Sequence, residues 1–491
     1  MNRTIATSVN YYWLHTLIYF LLTFGIGKIS YSALPPMGMS VIGIFLGLLY
    51  GWTFIGFIWP SMFSIFMLGV CGFFPSPQDA FAHAFSQQLV VFMLLVLVFT
   101  AYCEQSGLNK KMSCWFLSRK MLVGHPWIFT FMVLLGSFVV SFLVDGNAVV
   151  FLVWNLMYSI FDEVGYKKGE PYPAFVLAGA AIAAILSFGC KPWGNVCILA
   201  IGALESATGG AYTVDYLTFM AVTVPICILF VTAYFLVMKY VFRPDVSKLM
   251  NLSDEYLARM RSELKLSLHE KTAALALLVF MLLMILPTFL SGEKGIAGFL
   301  GSFNFLSAVA IVLIALTLIK VEGKPLLDFD ACARSGIHWH VFWITAAALP
   351  VSAAVSSEGA GITQWLGMLM NEYFQDTNVF VFLVLFSVIV NLATQLTHNV
   401  SLVLIAVPVA VQVSSSLGLN PLALTVLVVI AAACAYATPA ASTVAAILFS
   451  NVDWIGVKNS FKAGFSAVIA GLIVLFVCGF PIIGAVYGFF L

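Results

Sequence analysis

Apolar stretches long enough to cross a bilayer recur along the whole of this 491-residue chain, and four of them are interrupted near the middle by polar residues. About 20 apolar residues in a helix span a ~30 Å hydrocarbon core. Backbone groups freed by a break at that depth persist only where protein or a cavity satisfies them, so each interruption marks a built site. Hydrophobic residues make up 62% of the chain and charged residues 9%. A water-soluble domain carries roughly 25% charge, so most of this surface must face lipid. The net charge of +1, with no basic cluster, gives no sign of a nucleic-acid partner. Nine cysteines without paired spacing read as small core residues, with neither a disulfide framework nor a zinc site. The first ten residues are polar, and the apolar run after them reads as a retained helix in place of a cleavable signal.

Proline, glycine and charge divide the chain into an N-terminal helix (1–35), a first repeat (36–245), a polar linker (246–271) and a second repeat (272–491). In the first repeat, the segment 126–160 is broken at Asp145-Gly146-Asn147, and 173–206 at Lys191-Pro192-Trp193-Gly194-Asn195. In the second, 378–413 is broken at Thr397-His398-Asn399, and 421–450 at Thr438-Pro439-Ala440-Ala441-Ser442. Glu104-Gln105-Ser106-Gly107-Leu108 matches Glu358-Gly359-Ala360-Gly361-Ile362, Asn147 pairs with Asn399, and Pro192 pairs with Pro439. Interrupted segments at matching places in two halves point to the binding site of a transporter. An amphipathic piece at 109–121 and a surface helix at 252–268 are expected besides.

Charge tests the orientation. If 126–160 and 378–413 are hairpins that leave on the side they entered, the halves have opposite orientations and the chain makes about eleven crossings. That plan puts 19 of the 22 Lys and Arg residues on one side, all but Lys28, Lys191 and Lys294. The positive-inside rule makes this side cytoplasmic, with the N-terminus there and the C-terminus outside, in a plasma or inner membrane. The expected fold is an all-α membrane protein with about 11 transmembrane helices and two re-entrant hairpins, in two inverted-topology repeats.

This layout resembles the divalent anion:sodium symporters of the ion transporter superfamily. Leu34-Pro35-Pro36-Met37-Gly38 with Tyr50-Gly51-Trp52, the two Glu-x-x-Gly turns, Asn399 with Pro408, and Thr438-Pro439 carry the resemblance. It implies sodium-coupled transport or exchange of dicarboxylates, tricarboxylates or sulfate, an elevator-like movement of the hairpin domain, and a homodimer. The family's Ser-Asn-Thr hairpin tips are Asp145-Gly146-Asn147-Ala148 and Thr397-His398-Asn399-Val400 here, so substrate and sodium stoichiometry both stay open.

Asp145 and Lys191 are the charged residues this plan places at mid-membrane. A charge there costs at least ~2.5 kcal/mol, so the two are expected to form an ion pair, either for coupling or to close the half structurally. His398 offers a proton carrier or an anion donor, or else a neutral histidine bonded inside the bundle. Asn147, Asn195 and Asn399, with His398 and Ser442, are the candidate substrate ligands; asparagine and serine also cap helices. Thr394, Asn399 and Thr438 supply oxygens for a single sodium site, although such hydroxyls routinely bond helix backbone. Glu104 and Glu358 read as interfacial caps, and His338, Trp339 and His340 as interfacial residues of the cytoplasmic side.

These features predict a secondary transporter, symporter or exchanger, of small anions such as di- or tricarboxylates. No G-x-x-x-x-G-K-[S/T] loop couples it to ATP. The alternative is an intramembrane acyltransferase-like enzyme using His398 and Asn399, although an inverted duplication suits a site reached from two sides. A channel reading lacks a repeated filter. The expected partners are a small anion, lipid and a second copy, with sodium as the candidate coupling ion and no other cofactor. In sodium-coupled relatives the first tip and its break hold one sodium. Lys191, an ammonium of the same charge, can stand there permanently, leaving at most one sodium site in the second half.

Overall fold

Proline and small polar caps set the helix starts. In the computed structural model, which describes all residues except 1, 263, 291–294, 296–297, 300–302, 322, 363, 366–367, 369–377 and 491, α1 (Asn2–Phe20) runs on through a π turn and a 3-10 turn to Lys28. Pro36, which has no N–H to lose and a preset φ, opens α2 (Pro36–Phe54). Then come α3 (Ile58–Val70), α4 (Pro77–Ser86), α5 (Gln88–Gln105) and α6 (Leu108–Leu117). The Ser76 hydroxyl accepts from Asp79 N at 3.2 Å and caps α4.

The first expected hairpin consists of α7 (Pro126–Leu143) and α8 (Gly146–Val164), packed against each other below a tip at Val144 and Asp145. The first broken helix follows as α9 (Pro171–Leu186), a 3-10 turn, an irregular stretch through Lys191, and α10 (Asn195–Ala207). After α11 (Tyr216–Val237), the linker carries the short α12 (Asp254–Ser262).

The second half opens with α13 (Leu268–Leu290) and α14 (Phe305–Leu318). Two-residue strands β1 (Lys320–Val321) and β2 (Lys324–Pro325) pair antiparallel, leading to α15 (Phe329–Gly336) and α16 (Trp339–Ser356). The second hairpin is α17 (Val379–Leu396) and α18 (Asn399–Leu417). The second broken helix is α19 (Pro421–Ala433) and α20 (Thr443–Ser450), and α21 (Val457–Val474) with α22 (Phe480–Tyr487) ends the chain.

The all-α membrane fold therefore appears as expected, and the helices break at residues 144–145, 187–194, 397–398 and 434–442. Among the described residues ten helices are long and apolar enough to cross a membrane, against about eleven expected crossings, and three of the ten (α7, α17 and α18) are hairpin arms. The short helices α4 and α15, each just before a long one, were not anticipated. Lys294 lies outside the described residues.

The two broken helices form the centre. Every residue of α9 from Tyr172 onward is buried, as is nearly all of α19. A helix apolar all round belongs in a core, and the alanines of α9 let neighbours approach closely. At Gly189 the breaks press on one another: a Cβ there would collide with the Ala433 Cβ.

Candidate functional site

Four helices start at the same cavity. α8 and α18 begin at the hairpin tips, α10 and α20 just after the breaks, and residues at all four starts (Asn147, Val400, Asn195 and Thr443) line one space of about 310 Å³. Asp145, Lys191 and His398 face it beside them. A helix N-terminus carries roughly half a positive charge and suits an anion, so these four ends and the Lys191 ammonium outweigh the one Asp145 carboxylate and bias the cavity toward a negative occupant.

At the first tip each charge sits at the helix end of opposite sign. Asp145 Oδ1 accepts from Asn147 N at 3.0 Å and Ala148 N at 3.2 Å, capping α8. Lys191 Nζ donates to Ser141 O at 3.0 Å and Val144 O at 2.9 Å, the carbonyls where α7 ends. The ammonium also lies 5.0 Å from the Phe188 ring centroid, and the residue is 6% exposed. The expected Asp145–Lys191 ion pair does not form within 4.0 Å, because each group neutralises a helix dipole in place of the other.

At the second tip His398 caps α18, its Nδ1 accepting from Val400 N at 3.4 Å, and Asn399 is the first helical residue. The matched cap of α8 is Asp145, so Asn399 stands opposite Gly146, and the expected Asn147–Asn399 pairing shifts by one residue. The side chains diverge accordingly. Asn147 lines the cavity and accepts from Thr443 Oγ1 at 2.9 Å. Asn399 is 2% exposed, and its N–H donates to Ala441 O of the second break at 2.9 Å. Among the described residues, Asn399 Nδ2 and His398 Nε2 are buried without a hydrogen-bond partner.

Asn195 and His398 line the cavity as well, whereas Asn399, Thr394, Thr438 and Ser442 stand behind it. Ser442 caps α20, accepting from Ala445 N at 3.1 Å, and donates to Ala435 O at 2.8 Å. Thr394 donates to Ala432 O at 3.2 Å, and Thr438 to Gln395 O. Both hydroxyls keep lone pairs free for a cation, and the buried Asn391 Oδ1 has no partner among the described residues. Oxygen donors of this kind fit a sodium ion. Among the described residues no three His, Cys, Asp or Glu side chains gather as a metal site.

Three features escaped the sequence reading. Gln395 fastens the second break, donating to Cys434 O at 2.6 Å and accepting from Ala437 N at 2.9 Å; a glutamine inside an apolar run was the available signal. Thr443, next to Ser442, bridges the two halves. His338 and His340, expected as interfacial residues, lie on the cavity wall. Nothing in local sequence distinguishes those two placements.

The family model for CitMHS, described as citrate transporter, matches residues 45–428. The chain belongs to the citrate transporter family. It is a member of divalent anion:sodium symporter type, a secondary transporter and not an enzyme. A sodium-dependent dicarboxylate transporter of Staphylococcus saprophyticus is 23% identical over 368 residues, 71% of this chain and 68% of that protein. An uncharacterized transporter of Synechocystis sp. is 28% identical over 142 residues, and the matched part spans 27% of this chain but only 23% of the relative's length. Two solved structures share the fold of this citrate transporter family member. Alcanivorax borkumensis YdaH aligns with TM-score 0.57 and 16% identity over 92% of this chain and 99% of that one. Neisseria gonorrhoeae MtrF, titled an antimetabolite efflux pump, aligns with TM-score 0.56 and 15% identity over 82% and 83%.

Proposed function

We propose that the chain carries small di- or tricarboxylates across the membrane by alternating access, as a symporter or exchanger. The observation that carries this reading is the meeting of four helix N-termini and the Lys191 ammonium at one cavity. A carboxylate there exchanges water for oriented N–H groups and a fixed cation, while Asn147, Asn195 and His398 are within the same lining to orient it. The family and the dicarboxylate relative support the same substrate class.

In this reading the two hairpins and the two broken helices move together as an elevator-like unit, and the halves have inverted orientations. The distribution of basic residues supports an N-terminus in the cytoplasm and a C-terminus outside, and in this reading two copies pair. Coupling is asymmetric. The first half carries its cation on Lys191, while Thr394, Thr438 and Asn399 leave room for one sodium in the second. The name of the sodium-dependent relative supports sodium as the ion.

Uptake of labelled succinate, malate and citrate into proteoliposomes, with sodium and proton gradients imposed separately, tests the proposal. Accumulation of at least one carboxylate against its gradient, or exchange for an internal one, is expected. Uptake no faster than into empty liposomes for the whole panel would remove it.

A further inference from the structure

The cavity has a second wall, and its chemistry differs from that of the hairpin side. α5, α16 and the residue before α3 contribute mostly apolar groups there, among them Phe57, Met93, Leu97 and Ile344. The polar side chains on this wall are Thr100, His338 and His340. Thr100 already donates to Leu97 O at 3.0 Å, so the imidazoles are the wall's N–H donors. Their rings stack with centroids 5.7 Å apart and planes 28° from parallel. The Phe57 ring links them to the second tip, 6.1 Å from His340 and 5.8 Å from His398. His398 Nε2 is buried with no partner among the described residues, so the row of rings ends on an unsatisfied polar atom in the same cavity.

We propose that His338 and His340 form a second anion contact that selects substrates bearing two acid groups. The inference rests on the proposed carboxylate transport and deepens it. One carboxylate meets the helix starts and Lys191; the other, at the far end of a short carbon chain, accepts N–H bonds from the histidine pair. The apolar side chains between them cover the methylene carbons. A monocarboxylate leaves the pair facing hydrocarbon and gains nothing from it. Glu104, at the end of α5, interacts electrostatically with both His338 and Asp145, and so competes with an anion for His338. His340, two residues further on and inside α16, is therefore the stronger contact of the two.

The test measures binding of succinate and of its monomethyl ester to the purified full-length protein by titration calorimetry. His338→Leu/His340→Leu is compared with His338→Gln/His340→Gln, and with ligand-free Tm as a check on folding. A hydrogen bond to a charged group is worth about 1.5–3 kcal/mol, so the leucine pair should weaken succinate at least roughly tenfold and change the monoester little. Glutamine, which keeps an N–H donor, should restore part of the loss. Unchanged succinate affinity, or equal losses for both ligands with no rescue by glutamine, would overturn the histidine contact alone. If the unaltered protein binds no carboxylate at all, the transport reading falls and takes this contact with it.

Discussion

Thr443 Oγ1 donates to Asn147 Oδ1 at 2.9 Å, tying the start of α20 to the first hairpin tip across 296 positions of sequence. The bond joins the two halves at the cavity and fixes the Asn147 amide, whose Nδ2 faces Asp145 Oδ2 at 3.4 Å. Thr443→Val keeps the shape and removes the donor. A net bond of this kind is worth about 0.5–1.5 kcal/mol, so substrate affinity should fall roughly three- to tenfold with expression preserved. An unchanged KM would mean that Asn147 needs no such orientation.

Asn399 is the subject of a second prediction. Its backbone N–H holds the second break at Ala441 O, and its side chain, 2% exposed, has an Nδ2 with no partner among the described residues. Asn399→Ala retains the backbone bond and should cost about 1 kcal/mol of stability through the lost contact with Val400 N. Transport should nevertheless be abolished. Survival of transport with the affinity and rate of the unaltered protein would show that neither the cavity nor a sodium site behind it depends on Asn399.

A third prediction concerns the linker, outside the membrane-spanning segments. Lys248 Nζ meets both carboxylate oxygens of Glu170, at 2.7 and 2.8 Å, and clamps the chain after α11 onto the α8–α9 loop. That hydrogen bond, opposed by partial desolvation, holds the Glu170 carboxyl below its usual range. A depressed carboxyl contributes stability above its unfolded value near 4.5, lost as pH falls through the folded one. Both side chains are about one-third exposed, so the pair is worth under ~1 kcal/mol. Lys248→Met should lower Tm slightly near neutral pH, and the difference should close in acid. A gap that persists in acid would make the effect one of packing.

Much of this was legible before the fold was known, for identifiable reasons. Breaks in apolar runs are rare and are visible residue by residue, so Asp145, Lys191, His398 and Thr438 pointed to the two tips and two breaks directly. Which partner each group takes was not legible. Asp145 and Lys191 looked like an ion pair because opposite charges were the nearest solution in sequence. The helix ends beside them are charges of a different kind, and their direction follows from where α7 stops and α8 starts. His338 and His340 read as interfacial residues because they open a long apolar helix. Their cavity exists only once α16 packs beside the hairpins, which is a tertiary fact that no local pattern encodes.

The last prediction concerns coupling. The two hairpins end in the same way: the first arm stops, and its last carbonyls face the neighbouring break. In the second half the group meeting them is the Thr438 hydroxyl, on Gln395 O. In the first half it is the Lys191 ammonium, on Ser141 O and Val144 O. The C-terminus of a helix carries roughly half a negative charge, so a cation belongs there in either case. Lysine brings it covalently, at an entropy cost already met in folding, and leaves nothing for a mobile ion to do. One sodium at most then couples through the second half. The sodium dependence of uptake at fixed pH should give a Hill coefficient no greater than about one, since the coefficient cannot exceed the number of sites. Lys191→Arg, which keeps a fixed charge, should retain that dependence if it transports. Lys191→Thr exposes the α7 carbonyls, and should either abolish uptake or steepen its sodium dependence toward about two. A coefficient clearly above one in the unaltered protein, unmoved by Lys191→Thr, would show that this ammonium takes no ion's place.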